Sequence, residues 1–202
     1  MIEYSKYKKS RNLSWEMLIR YNVTSLPVKI SDICKSMGIR IVSYNTGRKF
    51  IADFDTYANP KSNDGFTYLN TIFYNDECFP ARQRFTVAHE LGHILLHDGH
   101  CIYNREPSEN DNPIEQEANV FASRLLAPAC VLWGLGVTNA QQISDICNIS
   151  MQAAEFRMKR MNELYEREQD FIRRYGKSCF LLSADERKVY EQFGDYIQNH
   201  KL

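Results

Sequence analysis

The chain has 202 residues, enough for one domain of ordinary size or a core with a modest appendage, and its 44% hydrophobic content suffices for a buried interior. Lysine plus arginine equals aspartate plus glutamate at 25 each, so no global field draws the protein to nucleic acid or to an anionic membrane. The six cysteines (Cys34, Cys78, Cys101, Cys130, Cys147 and Cys179) are widely spaced without a C-x-x-C pair, which leaves no dense disulfide framework and reads as reduced thiols of the cytosol.

The opening MIEYSKYKKSR lacks the apolar core of a signal peptide, and the basic residues of KYKKSR and of RMKRM read as solvated faces. A short helix is expected over residues 13–23, capped by Asn12, and Leu26-Pro27 marks a turn before a helix over 30–37 that Gly38 ends. Ile39, Ile41 and Tyr44 predict a strand, residues 51–57 another, and ANPKSNDG a loop. Residues 66–74, FTYLNTIFY, are dense in aromatic and β-branched types and predict strands, either a core pair or an edge to which an extended peptide pairs by backbone hydrogen bonds.

The chain is organised around residues 84–97, RFTVAHELGHILLH, a helix with Pro80 suited to its first turn and Asp98-Gly99 as its stop. Residues four apart on a helix stand one above the other, so His89 and His93 offer two imidazoles to one metal ion. With Glu90 beside them this is the H-E-x-x-H pattern, in which the histidines hold zinc and the glutamate takes the proton of the attacking water. A catalytic zinc site needs a third protein ligand. Residues 114–128, IEQEANVFASRLLAP, form a second amphipathic helix on which Glu115 and Asn119 share a face. Glu115 is the expected third ligand, and Asn119 is expected to hold a ligand histidine by its outer nitrogen. Glu117 falls nearly opposite and reads as a first-turn acid answering the helix dipole. His97 extends the histidine series too far along the axis to be a ligand and is assigned to packing or hydrogen bonding at the helix end, with stabilisation of the oxyanion as the second alternative. The polar stretch 98–113 is a candidate rim or lid, and Tyr68, His100 and Tyr103 are equal candidates to stabilise the oxyanion.

RFTVAHELGHILLH followed by EQEANVFASRLLAP resembles the ImmA/IrrE family of zinc metallopeptidases, gluzincin-like enzymes with a later E-x-x-x-N or E-x-x-x-D. The resemblance implies Zn2+ on His89, His93 and Glu115, Glu90 as general base and Asn119 as support. It further implies a cytoplasmic endopeptidase, of a mobile element or stress-response system, whose substrate is a helix-turn-helix DNA-binding repressor. Ala127 departs from a frequent methionine without touching the chemistry.

Beyond Pro128 the pattern is wholly helical. The longest apolar stretch, 125–137, is broken by Pro128, Gly134 and Gly136, so no membrane span is expected. Residues 139–147, the turn Asn148-Ile149-Ser150 and residues 151–173 have helix-turn-helix form. The second helix is a poor base reader, with Gln152 and Glu155 first and Arg157, Lys159 and Arg160 only later, so direct nucleic-acid binding is not expected. Ser183 to Glu186 reads as a capping box opening a last helix with Val189, Tyr190, Phe193, Tyr196 and Ile197 as its stripe. The expected fold is α+β: a small twisted sheet packed on the H-E-x-x-H helix and a second ligand-bearing helix (a metallopeptidase core over 1–127), then a helical region over 128–202. A second functional reading makes the metal structural and the C-terminal helices a binding surface for DNA or a partner. The intact Glu90 argues against it, since a structural site has no use for a base.

Overall fold

The computed structural model describes residues 7–52, 54–57, 64–97, 112–178, 180 and 183–202. In chain order the elements are α1 (Lys8–Arg20), α2 (Ile30–Ser36), β1 (Arg40–Ser43), α3 (Tyr44–Phe50), α4 (Phe54–Tyr57), β2 (Gly65–Tyr68), β3 (Thr71–Tyr74) and α5 (Pro80–Leu96). There follow α6 (Pro113–Leu126), α7 (Ala129–Leu135), α8 (Ala140–Cys147), α9 (Met151–Tyr175), α10 (Ala184–Gln192) and α11 (Gly194–His200). They form two compact units, one built from the chain up to Arg11 and from Lys29 to Ala122, the other from Asn12 to Val28 and from Ser123 onward. The architecture is α+β as expected, mostly helical with one small mixed sheet.

In the first unit the sheet order is β1-β3-β2, with β1 parallel and β2 antiparallel to β3. The pleat gives the sheet two faces. Phe66 and Phe73, paired across β2 and β3, turn to one face and build an aromatic cluster with Tyr44 and Phe54 at centroid separations of 4.9–5.8 Å. Gly65, Thr67 and the fully buried Ile72 turn to the other, where α5 packs. The strand expected over 51–57 is instead the short helix α4, because Phe54 is buried through that cluster and not through an alternating strand pattern. Ser43 ends β1 by capping α3, its Oγ accepting the Thr46 N–H at 3.2 Å. Gly38, at φ +71°, closes α2 where the sequence placed its end.

α1 starts at Lys8, so Asn12 lies inside the helix and is no cap. The sequence KYKKSR is not a solvated face throughout, since Ser10 is fully buried and Arg11 only 9% exposed. Serine is small enough to enter a packed position at the cost of burying its hydroxyl, and its polarity hid this.

The second unit is helical. α7 is its most buried helix and packs against α10 and α11. α8 and α9 form the expected helix-turn-helix, with an Asn139–Gln142 capping box and Ser150 accepting the Ala153 N–H at 3.2 Å. The tail is two helices, not one, divided at Phe193 and Gly194, yet Val189, Phe193 and Ile197 remain one buried stripe. Gln192 Nε2 donates to the carbonyls of Leu18 and Val23, which ties this tail to the end of α1. Pro113–Leu135 is the one run among the described residues long and apolar enough to cross a membrane; 72% of its apolar window is buried within the protein, as in a core helix. Cys34, Cys78, Cys130 and Cys147 are free thiols, and burial pushes the Cys34 thiol up to about 12. Cys101 and Cys179 lie outside the described residues.

Candidate metal centre

Helix α5 is fixed before any donor is considered. Pro80 opens it, and Gln83 Nε2 donates to the carbonyls of Cys78 and Asp76 at 2.6 and 3.2 Å, holding its first turn to the preceding loop. At its other end the Lys9 ammonium donates to the Leu96 carbonyl at 3.2 Å, a cation where the helix dipole is negative. On the sheet side a Cβ at Gly65 would lie 2.3 Å from Thr86 Cγ2, so only glycine lets β2 lie this close. On the other side a Cβ at Gly92 would lie 3.0 Å from Phe121 Cδ1 and 3.2 Å from Ala118 Cα, and α6 packs in that space.

This close packing brings the donors of α6 to those of α5. His89 and His93, each 7% exposed, direct Nε2 to one point, 2.9 Å apart. Glu115 reaches both, with Oε2 at 3.2 Å from His89 Nε2 and Oε1 at 3.2 Å from His93 Nε2. Asn119 Oδ1 lies 2.9 Å from His89 Nδ1. A carbonyl oxygen there can only accept, so the His89 proton sits on Nδ1 and Nε2 presents a lone pair. The His89 lone pair and the Glu115 carboxylate face one point and repel each other unless a proton or a metal cation lies between them. Donors about 2.0–2.1 Å from a tetrahedral zinc are about 3.3 Å apart, and the observed 2.9–3.2 Å separations fit that geometry. The residues present therefore suit a divalent metal of the nitrogen- and oxygen-binding kind, and His89, His93 and Glu115 would hold it.

Glu90, 3% exposed, follows His89 on α5, and the Thr67 hydroxyl donates to its Oε2 at 3.0 Å. Glu117 is more than a first-turn acid, since its Oε2 lies 3.6 Å from His97 Nε2. His97 caps the end of α5, donating its N–H to the His93 carbonyl at 3.1 Å. Burial pushes the His97 imidazole below its ordinary value; neighbouring His93 adds to this and Glu117 opposes it. Tyr68, 39% exposed, follows Thr67 on β2 and so projects from the face of the sheet away from Glu90. His100 and Tyr103 lie outside the described residues.

Two contributors escaped the sequence reading, Thr67 and Gly92. A glycine between two ligand histidines costs about 1 kcal/mol of helix propensity, and that cost was the available sign of a close approach. Thr67 carried no sign, since β-branched residues are ordinary in strands.

The family model described as Peptidase_M78, the IrrE N-terminal-like domain, matches residues 34–159, well over half of the chain. The radiation response metalloprotease IrrE of Deinococcus radiodurans is 41% identical over 70 residues, a match covering 31% of this chain and 21% of that protein. The matched segment is thus about a fifth of the length of that relative.

Proposed function

Since the chain belongs to the peptidase M78 family, that of the IrrE N-terminal-like domain, we propose that it is a zinc-dependent endopeptidase that cleaves a helix-turn-helix, DNA-binding repressor in the cytoplasm. The observation that carries this reading is the convergence of His89 Nε2, His93 Nε2 and the Glu115 carboxylate within 3.2 Å of one another, with Asn119 holding the tautomer. His89, His93 and Glu115 would hold the zinc, which would supply a Lewis acid for the scissile carbonyl and lower the pKa of the attacking water from 15.7 toward about 7. Glu90 accepts the water's proton and passes it to the leaving amine. β2 is an outer strand of the sheet among the described residues, the position from which a strand pairs with an extended peptide. The repressor and the cytoplasmic setting rest on the resemblance to the ImmA/IrrE family, and the balanced charge and scattered thiols accord with them.

Direct DNA binding through α8 and α9 is the weaker reading. Arg157 is 6% exposed and cannot reach a phosphate, and Arg160 is ion-paired with Glu163. The test is incubation of the zinc-loaded protein with helix-turn-helix proteins encoded beside its gene, with and without chelator. Cleavage that chelator stops is expected, and Glu90→Gln should keep its zinc while losing at least about 10⁴-fold in rate, the top of the range for proton transfer. A Glu90→Gln protein that cleaves at the parent rate, or that has lost its zinc, would refute the mechanism.

A further inference from the structure

We propose that Thr67 is the positioning residue of Glu90, setting the orientation in which that carboxylate meets the proton it accepts; this rests on the peptidase reading above. Strand and helix are matched in spacing. Gly65 and Thr67 stand two residues apart on β2, about 6.7 Å, while Thr86 and Glu90 stand four apart on α5, about 6 Å. Gly65 lies against Thr86, and the next side chain on that face, Thr67, meets the residue one helical turn on, Glu90. The close approach at Gly65 is what lets so short a side chain reach the carboxylate.

Three properties suit threonine to this place. Its branched Cβ restricts χ1, so the hydroxyl has a settled direction. The terminal torsion of a glutamate is otherwise broad, and a donor on Oε2 stops the carboxylate turning about it. A hydroxyl bond to an ionised carboxylate is also stronger than one between neutral groups. In this role the Thr67 hydroxyl acts through the Glu90 carboxylate to which it donates.

The test compares zinc-loaded parent, Thr67→Val and Thr67→Ser. Two readouts are used: turnover of an internally quenched peptide chosen from a library as the best cleaved by the parent, and crystal structures showing the Glu90 carboxylate. Valine keeps the shape and strand preference of threonine. Thr67→Val should lower kcat by about 10- to 100-fold, with KM within about twofold, zinc content unchanged and the Glu90 carboxylate displaced. Thr67→Ser should keep the carboxylate in place and kcat within about threefold of the parent, because the donor remains. A Thr67→Val protein with parental kcat, or with Glu90 unmoved, overturns the proposal, as does a Thr67→Ser protein as slow as the valine variant. If the parent cleaves neither a library peptide nor a helix-turn-helix protein while valine still displaces Glu90, the peptidase reading fails and the positioning contact stands.

Discussion

Replacing Gly92 by alanine would place a methyl carbon 3.0 Å from Phe121 Cδ1, 3.2 Å from Ala118 Cα and 3.4 Å from Ala118 Cβ. Carbon atoms settle at about 3.5–4.0 Å, so the Phe121 ring and the α6 backbone at Ala118 must give way by a few tenths of an ångström. Stability will register this weakly. Alanine in a helix interior gains about 1 kcal/mol over glycine, overpacking costs about 1–3 kcal/mol, and the net loss is about 0–2 kcal/mol. The metal is more sensitive, because Glu115 and Asn119 lie within one turn of Ala118 on the same helix, and metal–ligand distances tolerate only about 0.2 Å. The zinc dissociation constant should rise about 10- to 100-fold, as when a supporting residue is lost, while the midpoint of the metal-free protein falls by no more than about 8 °C. Competition with a chromophoric chelator measures the first and thermal unfolding after chelation the second. Adding Phe121→Leu removes the nearest ring carbon and should recover part of the affinity. Unchanged zinc affinity, or zinc loss that merely follows unfolding of the metal-free protein, would refute the reasoning.

Asn119→Ala frees His89 Nδ1 from its partner and should weaken metal binding about 10- to 100-fold, with Asn119→Asp retaining most of it, as measured by the same competition. Leu69 sits at φ +51° and is 73% exposed, so Leu69→Gly relieves left-handed strain without losing burial and should raise stability by about 0.5–1 kcal/mol in urea unfolding. Burial, with His93 adding, lowers the affinity of His97 for its proton in the folded state, so below about pH 6.5 the unfolded chain binds more protons than the native one and stability falls. Urea midpoints of metal-free protein between about pH 7.5 and 5 should show that decline, and His97→Gln should flatten it.

The convergence of His89, His93 and Glu115 was legible because helices carry a short code. Four-residue spacing put His93 over His89 and Asn119 over Glu115, and the apolar stripe of α6 fixed which face they share. Caps and stops spoke equally locally, as at Gly38 and Ser150. What stayed hidden depends on residues far apart in the chain. Phe54 joins an aromatic cluster with Phe66 and Phe73, and no local pattern distinguishes that from a strand. Arg157 reads as a surface cation on a helix rich in charge, yet it is buried. Thr67 and Glu90 are 23 residues apart, and the bond between them exists only once Gly65 has let the strand close on α5.

The glycines on either side of α5 also bear on how the site would take up metal. With Gly65 fitting β2 to one flank and Gly92 fitting α6 to the other, the ligand-bearing helices are set by packing. Zinc uptake then differs from that of a zinc finger, where metal binding and folding are one event. Little apolar surface remains to be buried on binding, so calorimetry should find a small heat-capacity change. Chelation should switch the protein off while leaving it folded, and returned metal should restore it without refolding.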